Sequence, residues 1–189
     1  MKKILSVVGA RPNFIKIAPL DKAFRKYRKE VKHLICHTGQ HFDDCMSGVF
    51  FDELGLPKPD FYLGVGSGSH AAQTAKIMLE LEKVLHAERP DMVVVPGDVN
   101  STLAAALVAS KMGIPVSHVE AGLRSFDRTM PEEINRIVTD VVSDLLFVTE
   151  HSGIRNLRDE GIEENRIHFV GNIMIDSLEE HYELLENNP

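Results

Sequence analysis

Two hydrophobic periods alternate along this chain, and the alternation restricts its fold more than any other feature. Short apolar runs at Ile4–Val8, His33–His37, Met92–Val95, Pro115–Val119, Asp144–Val148 and Ile167–Val170 have the length and composition of strands. Between them lie stretches with helical spacing. Arg11 to Arg28 places Phe14, Ile17, Ala18, Leu20 and Phe24 on one side, with Pro12 in the first turn, where a missing N–H costs nothing. Phe42 to Leu54 reads as a helix closed by Gly55 and Pro57. Ser69 is placed to cap a helix carrying Ile77, Leu81, Val84 and Leu85. Asn100–Met112, Pro131–Val142, Glu150–Glu160 and a segment from about Ile173 to Leu185 complete the helices, with Gly113 and Gly161 as stops. Lys58–Gly68, rich in Gly and Pro, reads as irregular. The strand runs are nearly continuous in apolar residues, the pattern of parallel strands covered on both faces. A doubly wound parallel α/β sheet of about six strands is the economical solution.

Composition narrows the function classes. At 189 residues the chain is expected to form one domain with a real core. Lys and Arg total 21 against 28 Asp and Glu, a net charge of −7, so no basic face suited to nucleic acid is advertised. No window approaches the roughly 18 apolar residues of a membrane span. Met1-Lys2-Lys3 runs into the first strand with no cleavage site behind it, which reads as no signal peptide. Cys36 and Cys45 form no CxxC motif, consistent with reduced thiols in a cytoplasmic protein.

In an open parallel sheet, ligands bind beyond the carboxyl ends of the strands. Those ends carry Gly9-Ala10-Arg11-Pro12-Asn13-Phe14-Ile15-Lys16, Thr38-Gly39-Gln40-His41, Pro96-Gly97-Asp98, Glu120-Ala121-Gly122-Leu123-Arg124 and Gly171-Asn172. Neither GxGxxG nor GxxxxGK[ST] is present, which argues against nicotinamide redox chemistry and P-loop phosphoryl transfer. Arg11 and Lys16 at a helix start suit an anion, or are simply solvent-facing cations. Asp98 and Glu120 end consecutive strands on one edge, where carboxylates can act as acid and base. Asp98 could instead cap the helix that follows. Glu132 and Glu133 follow Pro131 in a first helical turn, where the dipole favours them. His37, His41, Asp43 and Asp44 lie close in sequence, but a strand end and a helix start do not give the i, i+4 ligand geometry, so no metal is expected.

These segments, together with Pro131-Glu132-Glu133-Ile134-Asn135-Arg136 and Ile175-Asp176, occur in the order found in the non-hydrolysing UDP-N-acetylglucosamine 2-epimerases, and the chain resembles that family from Lys3 to about Leu178. The resemblance implies the N-terminal, Rossmann-like half of a glycosyltransferase-B-type two-domain fold. Residues 1–172 would form that domain, and 173–189 a helix leading toward a C-terminal domain that the chain does not contain. It implies interconversion of UDP-GlcNAc and UDP-ManNAc by elimination of UDP to a 2-acetamidoglucal and re-addition to the other face, with no cofactor. By motif position, Asp98, Glu120 and Glu132 would be the acid/base carboxylates, Glu120 foremost and Glu133 able to trade places with Glu132. Arg11, Lys16, Gln40, His41 and Arg136 would bind substrate. The resemblance also implies a homodimer, and a chain that is inactive without its second half. The family often has His-Gly-Asp where this chain has Pro96-Gly97-Asp98, and a longer polar run after Gln-His, a segment that in some members serves an activating UDP-GlcNAc site. A glycosyltransferase of the same plan, an epimerase acting on a modified UDP sugar, and a non-catalytic nucleotide-sugar-binding module are the alternatives.

Overall fold

The structure is a computed structural model and describes residues 1–40 and 55–179. Seven parallel strands form one sheet: β1 (Lys2–Val8), β2 (Val31–His37), β3 (Phe61–Tyr62), β4 (Met92–Pro96), β5 (Val116–Ala121), β6 (Leu145–Val148) and β7 (Ile167–Phe169). Their order is β3-β2-β1-β4-β5-β6-β7. The chain winds outward from β1 to β3, then returns to build β4 to β7 on the other side. The reversal between β1 and β4 is the topological switch point, where the carboxyl ends of the two central strands open a crevice.

The helices are α1 (Arg11–Lys26), α2 (His70–Glu88), α3 (Asn100–Lys111), α4 (Pro131–Val142) and α5 (His151–Asp159), with a further helical stretch, α6, over 173–179. Strand alternation sorts the core. Leu5, Val7, Leu34, Cys36, Val93 and Val95 pack against Leu81 and Leu85 of α2 and Ala105 and Ala109 of α3. Val8, Ile35, Val94 and Val119 pack on the other face against Phe14 and Ile17 of α1. Both faces are covered, as the unbroken apolar runs require. The small side chains of α3 let it lie close to the sheet, and α2 packs beside it on the same face.

The elements depart from the sequence reading in three places. The described residues form seven strands rather than about six, because Phe61–Tyr62 pairs with Cys36 and His37 inside the Gly- and Pro-rich stretch. β5 runs on through Glu120 to Ala121 instead of ending at Val119. The α3 N-cap is Val99, with no side-chain cap, so Asp98 does not cap that helix. The expected helix at Phe42–Leu54, together with His41, Asp43, Asp44 and Cys45, lies outside the described residues, as does the end of α6 beyond residue 179.

Candidate active site

The ends of β1 and β4 are joined by Asn13. Its Oδ1 accepts the amides of Gly9 and Ala10, each at 3.1 Å, and its Nδ2 donates to Pro96 O at 3.0 Å. Gly9 allows the close approach: a Cβ there would lie 2.0 Å from Ser101 Oγ. The sequence signal for Asn13 is faint: an amide side chain on the buried side of the first turn of an otherwise apolar helix face.

Beyond this junction, Lys16 from α1 and Glu120 from β5 form an ion pair, with side-chain exposures of only 8% and 19%. Glu120 sits at φ +76°, where the β5–β6 register shifts between Val119 and Ala121. A left-handed glutamate at a bulge is strained, and such bulges re-aim a side chain that strict alternation would send elsewhere. Gly97, at φ +68°, lies between the partners: a Cβ there would stand 3.2 Å from Lys16 Nζ and 3.8 Å from Glu120 Oε2. A side chain at this position would fill the crevice.

Asp98 follows at once. Its carboxylate accepts from Arg136 Nε at 3.0 Å and Nη2 at 2.9 Å, and its backbone carbonyl accepts from Asn135 Nδ2 at 2.8 Å. Arg136 also donates to Glu133 at 2.6 Å. Glu133 is buried, and its two oxygens accept the amides of Ser125 and Phe126, each at 3.0 Å. Burial works to raise the Glu133 carboxyl, but these amides and Arg136 outweigh it and hold the group below the ordinary carboxylate range. Glu133 therefore pins the loop after β5. Glu132, one residue away on the helix, lines a polar cavity of about 300 Å³ with Gln40, His70, Gln73, Asn100 and Asn135. The two neighbours thus have different environments: Glu133 is saturated within the protein, while Glu132 opens on a cavity.

Gln40 contributes to this cavity and to the fold. Its Oε1 accepts from the backbone N and Oγ of Ser101 at 3.0 and 2.7 Å, in the first turn of α3. Glu120 borders a second, more apolar cavity of about 220 Å³, with Leu20, Phe147, Thr149 and Asp176. Arg11 is exposed at the first residue of α1. Six expected site residues, Lys16, Gln40, Asp98, Glu120, Glu132 and Arg136, thus lie around the carboxyl edge of the central strands, with Arg11 at the outer turn of α1. His41 is outside the described residues. His37 lies between Phe14 and Tyr62 in tilted ring contacts, with both centroid distances 5.1 Å, and burial pushes it down to about 4. Among the described residues, no group of three or more His, Cys, Asp or Glu is arranged to hold a metal ion.

Behind the rim, His118 and Asp140 are both wholly buried. His118 Nδ1 donates to Asp140 Oδ1 at 2.6 Å and Nε2 donates to Gly97 O at 2.7 Å. Asp140 Oδ2 accepts from Gly122 N at 3.1 Å and Arg124 Nη1 at 2.8 Å. Burial alone would raise the Asp140 carboxyl; His118 and Arg124 reverse this and hold it low.

A doubly wound sheet with a paired carboxylate and lysine, a second carboxylate and two cavities along its carboxyl edge defines an α/β protein built to act on a ligand beyond its strand ends. More particularly, the chain belongs to the UDP-N-acetylglucosamine 2-epimerase family, whose model matches residues 23–189. It is 50% identical over 186 residues to the UDP-N-acetylglucosamine 2-epimerase of Methanocaldococcus jannaschii, a match covering 98% of this chain and 50% of the relative. It is also 50% identical over 177 residues to UDP-2,3-diacetamido-2,3-dideoxy-D-glucuronate 2-epimerase of Pseudomonas aeruginosa, across 93% of this chain and 50% of that one. A crystal structure of the M. jannaschii UDP-GlcNAc 2-epimerase in complex with UDP-GlcNAc and UDP superposes with a TM-score of 0.94 at 49% identity, over 98% of this chain and 51% of that chain. The chain spans about half the length of these relatives.

Proposed function

We propose that this chain supplies the N-terminal side of the cleft of an epimerase that interconverts UDP-GlcNAc and UDP-ManNAc, with residues 1–172 as its Rossmann-like domain and the segment from 173 leading toward a second half. The observation that carries this is the Lys16–Glu120 pair held at a strained bulge beside Gly97-Asp98. The C2 hydrogen of the sugar is not adjacent to a carbonyl, so simple proton abstraction there is unfavourable. Elimination solves the problem: the C1–O bond to UDP breaks with its electron pair as a carboxylate takes the C2 proton, leaving the 2-acetamidoglucal. Re-addition of UDP then returns a proton to C2 from the opposite face. Inversion therefore needs more than one proton-transfer group, and Glu120, Asp98 and Glu132 are positioned around the same edge to share the work. Glu120 is the principal proton-transfer group and Asp98 its partner. Lys16, Arg11 and Arg136 offset the charge of the diphosphate and carboxylates, while Gln40 and His41 complete the substrate contacts. No cofactor enters this scheme. The other half contributes the remaining nucleotide contacts, and this chain alone is inactive.

The test is interconversion of the two UDP sugars by the full-length enzyme, followed by NMR. Glu120→Gln and Asp98→Asn are each expected to lower kcat by about 10²-fold or more; unchanged turnover in both would make the carboxylates structural. The equal identity to the P. aeruginosa enzyme favours a second reading, in which the sugar carries a further acetamido group and a carboxylate. Comparing kcat/KM for the two sugars decides between them. No helix among the described residues is long and apolar enough to cross a membrane. We place the protein in the cytoplasm as a homodimer, which light scattering at two concentrations would check.

A further inference from the structure

We propose that Asp140 is the positioning residue of this site: through His118 and Gly122 it sets the backbone that carries both Asp98 and Glu120. The inference rests on the epimerase reading above and assigns a role to a group that reading does not use. One oxygen of Asp140 holds His118 Nδ1, and the opposite nitrogen of the ring holds Gly97 O. That carbonyl belongs to the peptide unit joining Gly97 to Asp98, so the ring fixes the plane from which the Asp98 side chain departs. The other oxygen of Asp140 holds Gly122 N. His118 and Gly122 stand two residues before and two residues after Glu120, so both flanks of the bulge are tied to one carboxylate. Between the ties lies the only non-glycine residue of the described β-strands with a positive φ, Glu120 at +76°. A strained backbone keeps its shape only where its surroundings over-determine it, and here the determining contacts come from Asp140. Arg124 supplies the compensating charge and is itself held by Glu160 at 2.7 and 2.6 Å. Asp140 has no exposure, so it acts through the backbone rather than by touching substrate.

The experiment uses the full-length enzyme carrying Asp140→Asn. The amide keeps the shape but carries no charge: with its NH₂ turned to Arg124 and Gly122 it meets donors, and with its NH₂ turned to His118 the ring must accept at Nδ1 instead of donating there, so the charge-assisted tie is lost in either orientation. Since a displacement near 1 Å at reacting groups can cost about 10²-fold, kcat per UDP-binding site, counted by calorimetry, is expected to fall about 100-fold with KM for UDP-GlcNAc nearly unchanged. A variant with a lower Tm but wild-type kcat per binding site overturns the proposal, because a merely structural role moves only the folded fraction. Should Asp140→Asn fail to fold, His118 provides an independent test. His118→Asn can keep the bond to Asp140 and releases Gly97 O, whereas the longer amide of His118→Gln can reach Gly97 O. The Gln variant is expected to be at least about tenfold more active than the Asn variant; equal activity overturns the proposal. Wild-type enzyme without turnover would overturn the epimerase reading itself, and is thereby distinct from wild-type turnover with an unimpaired Asp140→Asn enzyme.

Discussion

The molecule contains the same trio of side chains twice. In each, a helix aspartate faces a strand histidine and an arginine. Asp21 of α1 meets His33 Nδ1 at 2.8 Å and Arg25 at 2.6 Å, and His33 Nε2 meets Ser6 Oγ at 2.8 Å. Asp140 of α4 meets His118 and Arg124 in like manner. Two differences separate them. The far nitrogen of His33 meets a hydroxyl, which can rotate to serve as donor or acceptor, while that of His118 meets a fixed backbone carbonyl. His33 also lies four residues before the end of β2, about 13 Å from the carboxyl edge at 3.3 Å per residue, whereas Gly97 O is on that edge. A buried histidine–aspartate pair is thus not functional by composition; what it holds, and where, decides its role.

The largest expected effect tests this directly. Asp140→Ala removes the buried counter-charge of Arg124, which is 1% exposed and keeps only the part-exposed Glu160, and strips His118 of its partner; it is expected to cost about 3–5 kcal/mol in urea unfolding. Asp21→Ala leaves Arg25, 55% exposed, free to turn to water and is expected to cost about 1–3 kcal/mol. In the full-length enzyme only the Asp140 variant should lose kcat per folded site. Equal losses at both positions would erase the distinction.

Acid unfolding sharpens the comparison once His37 is separated out. Burial lowers His37 to about 4 from 6.5, so between these values the unfolded chain binds a proton that the native chain does not. Stability therefore falls as pH drops through that window, by roughly 3 kcal/mol, and a His37→Gln variant should flatten it. The two aspartates act lower. Burial opposes their charged forms, yet His33 with Arg25, and His118 with Arg124, hold both carboxyls below the ordinary value of 3.8. Their stabilisation is present above that value and is lost as pH falls through the lower native one. Wild type and the two Asp→Asn variants should therefore converge in stability only below about pH 4.

Some of this architecture was legible in the sequence. The long strands and helices were, because each repeats its apolar spacing often enough to be read. Phe61–Tyr62 was not, since a two-residue strand has no period and owes its existence to β2. The apolar pattern ends β5 at Val119, whereas a bulge carries Glu120 within the strand; bulges are set by neighbouring strands rather than by local composition. Asp98 could be read as a cap because capping is a local rule, but its partner Arg136 arrives 38 residues later. Glu132 and Glu133 were interchangeable in sequence and are separated only by which side of α4 is buried. The Asp140–His118 pair left a faint signal, a charged residue near the end of one helix and a histidine inside an apolar strand, 22 residues apart.

The smallest expected effect concerns α1, which carries Asp21 of one trio and Asn13 and Lys16 of the rim. Pro19 lies between them. Having no N–H, it leaves Ile15 O without its intrahelical donor, and Ser177 Oγ from α6 donates to that carbonyl at 2.9 Å. The helical ladder is thus interrupted between the trio and the rim, and the gap is closed from outside. Ser177→Ala is expected to cost about 1 kcal/mol, the ordinary worth of one such bond. Restoring the backbone donor with Pro19→Ala should make the Ser177 hydroxyl dispensable, so the Ser177→Ala penalty should largely vanish in the double variant. Full additivity in urea unfolding would show that Ser177 stabilises α6 by some other contact. It would also leave the continuous backbone of α1 as a route by which Asp21 substitutions reach Lys16.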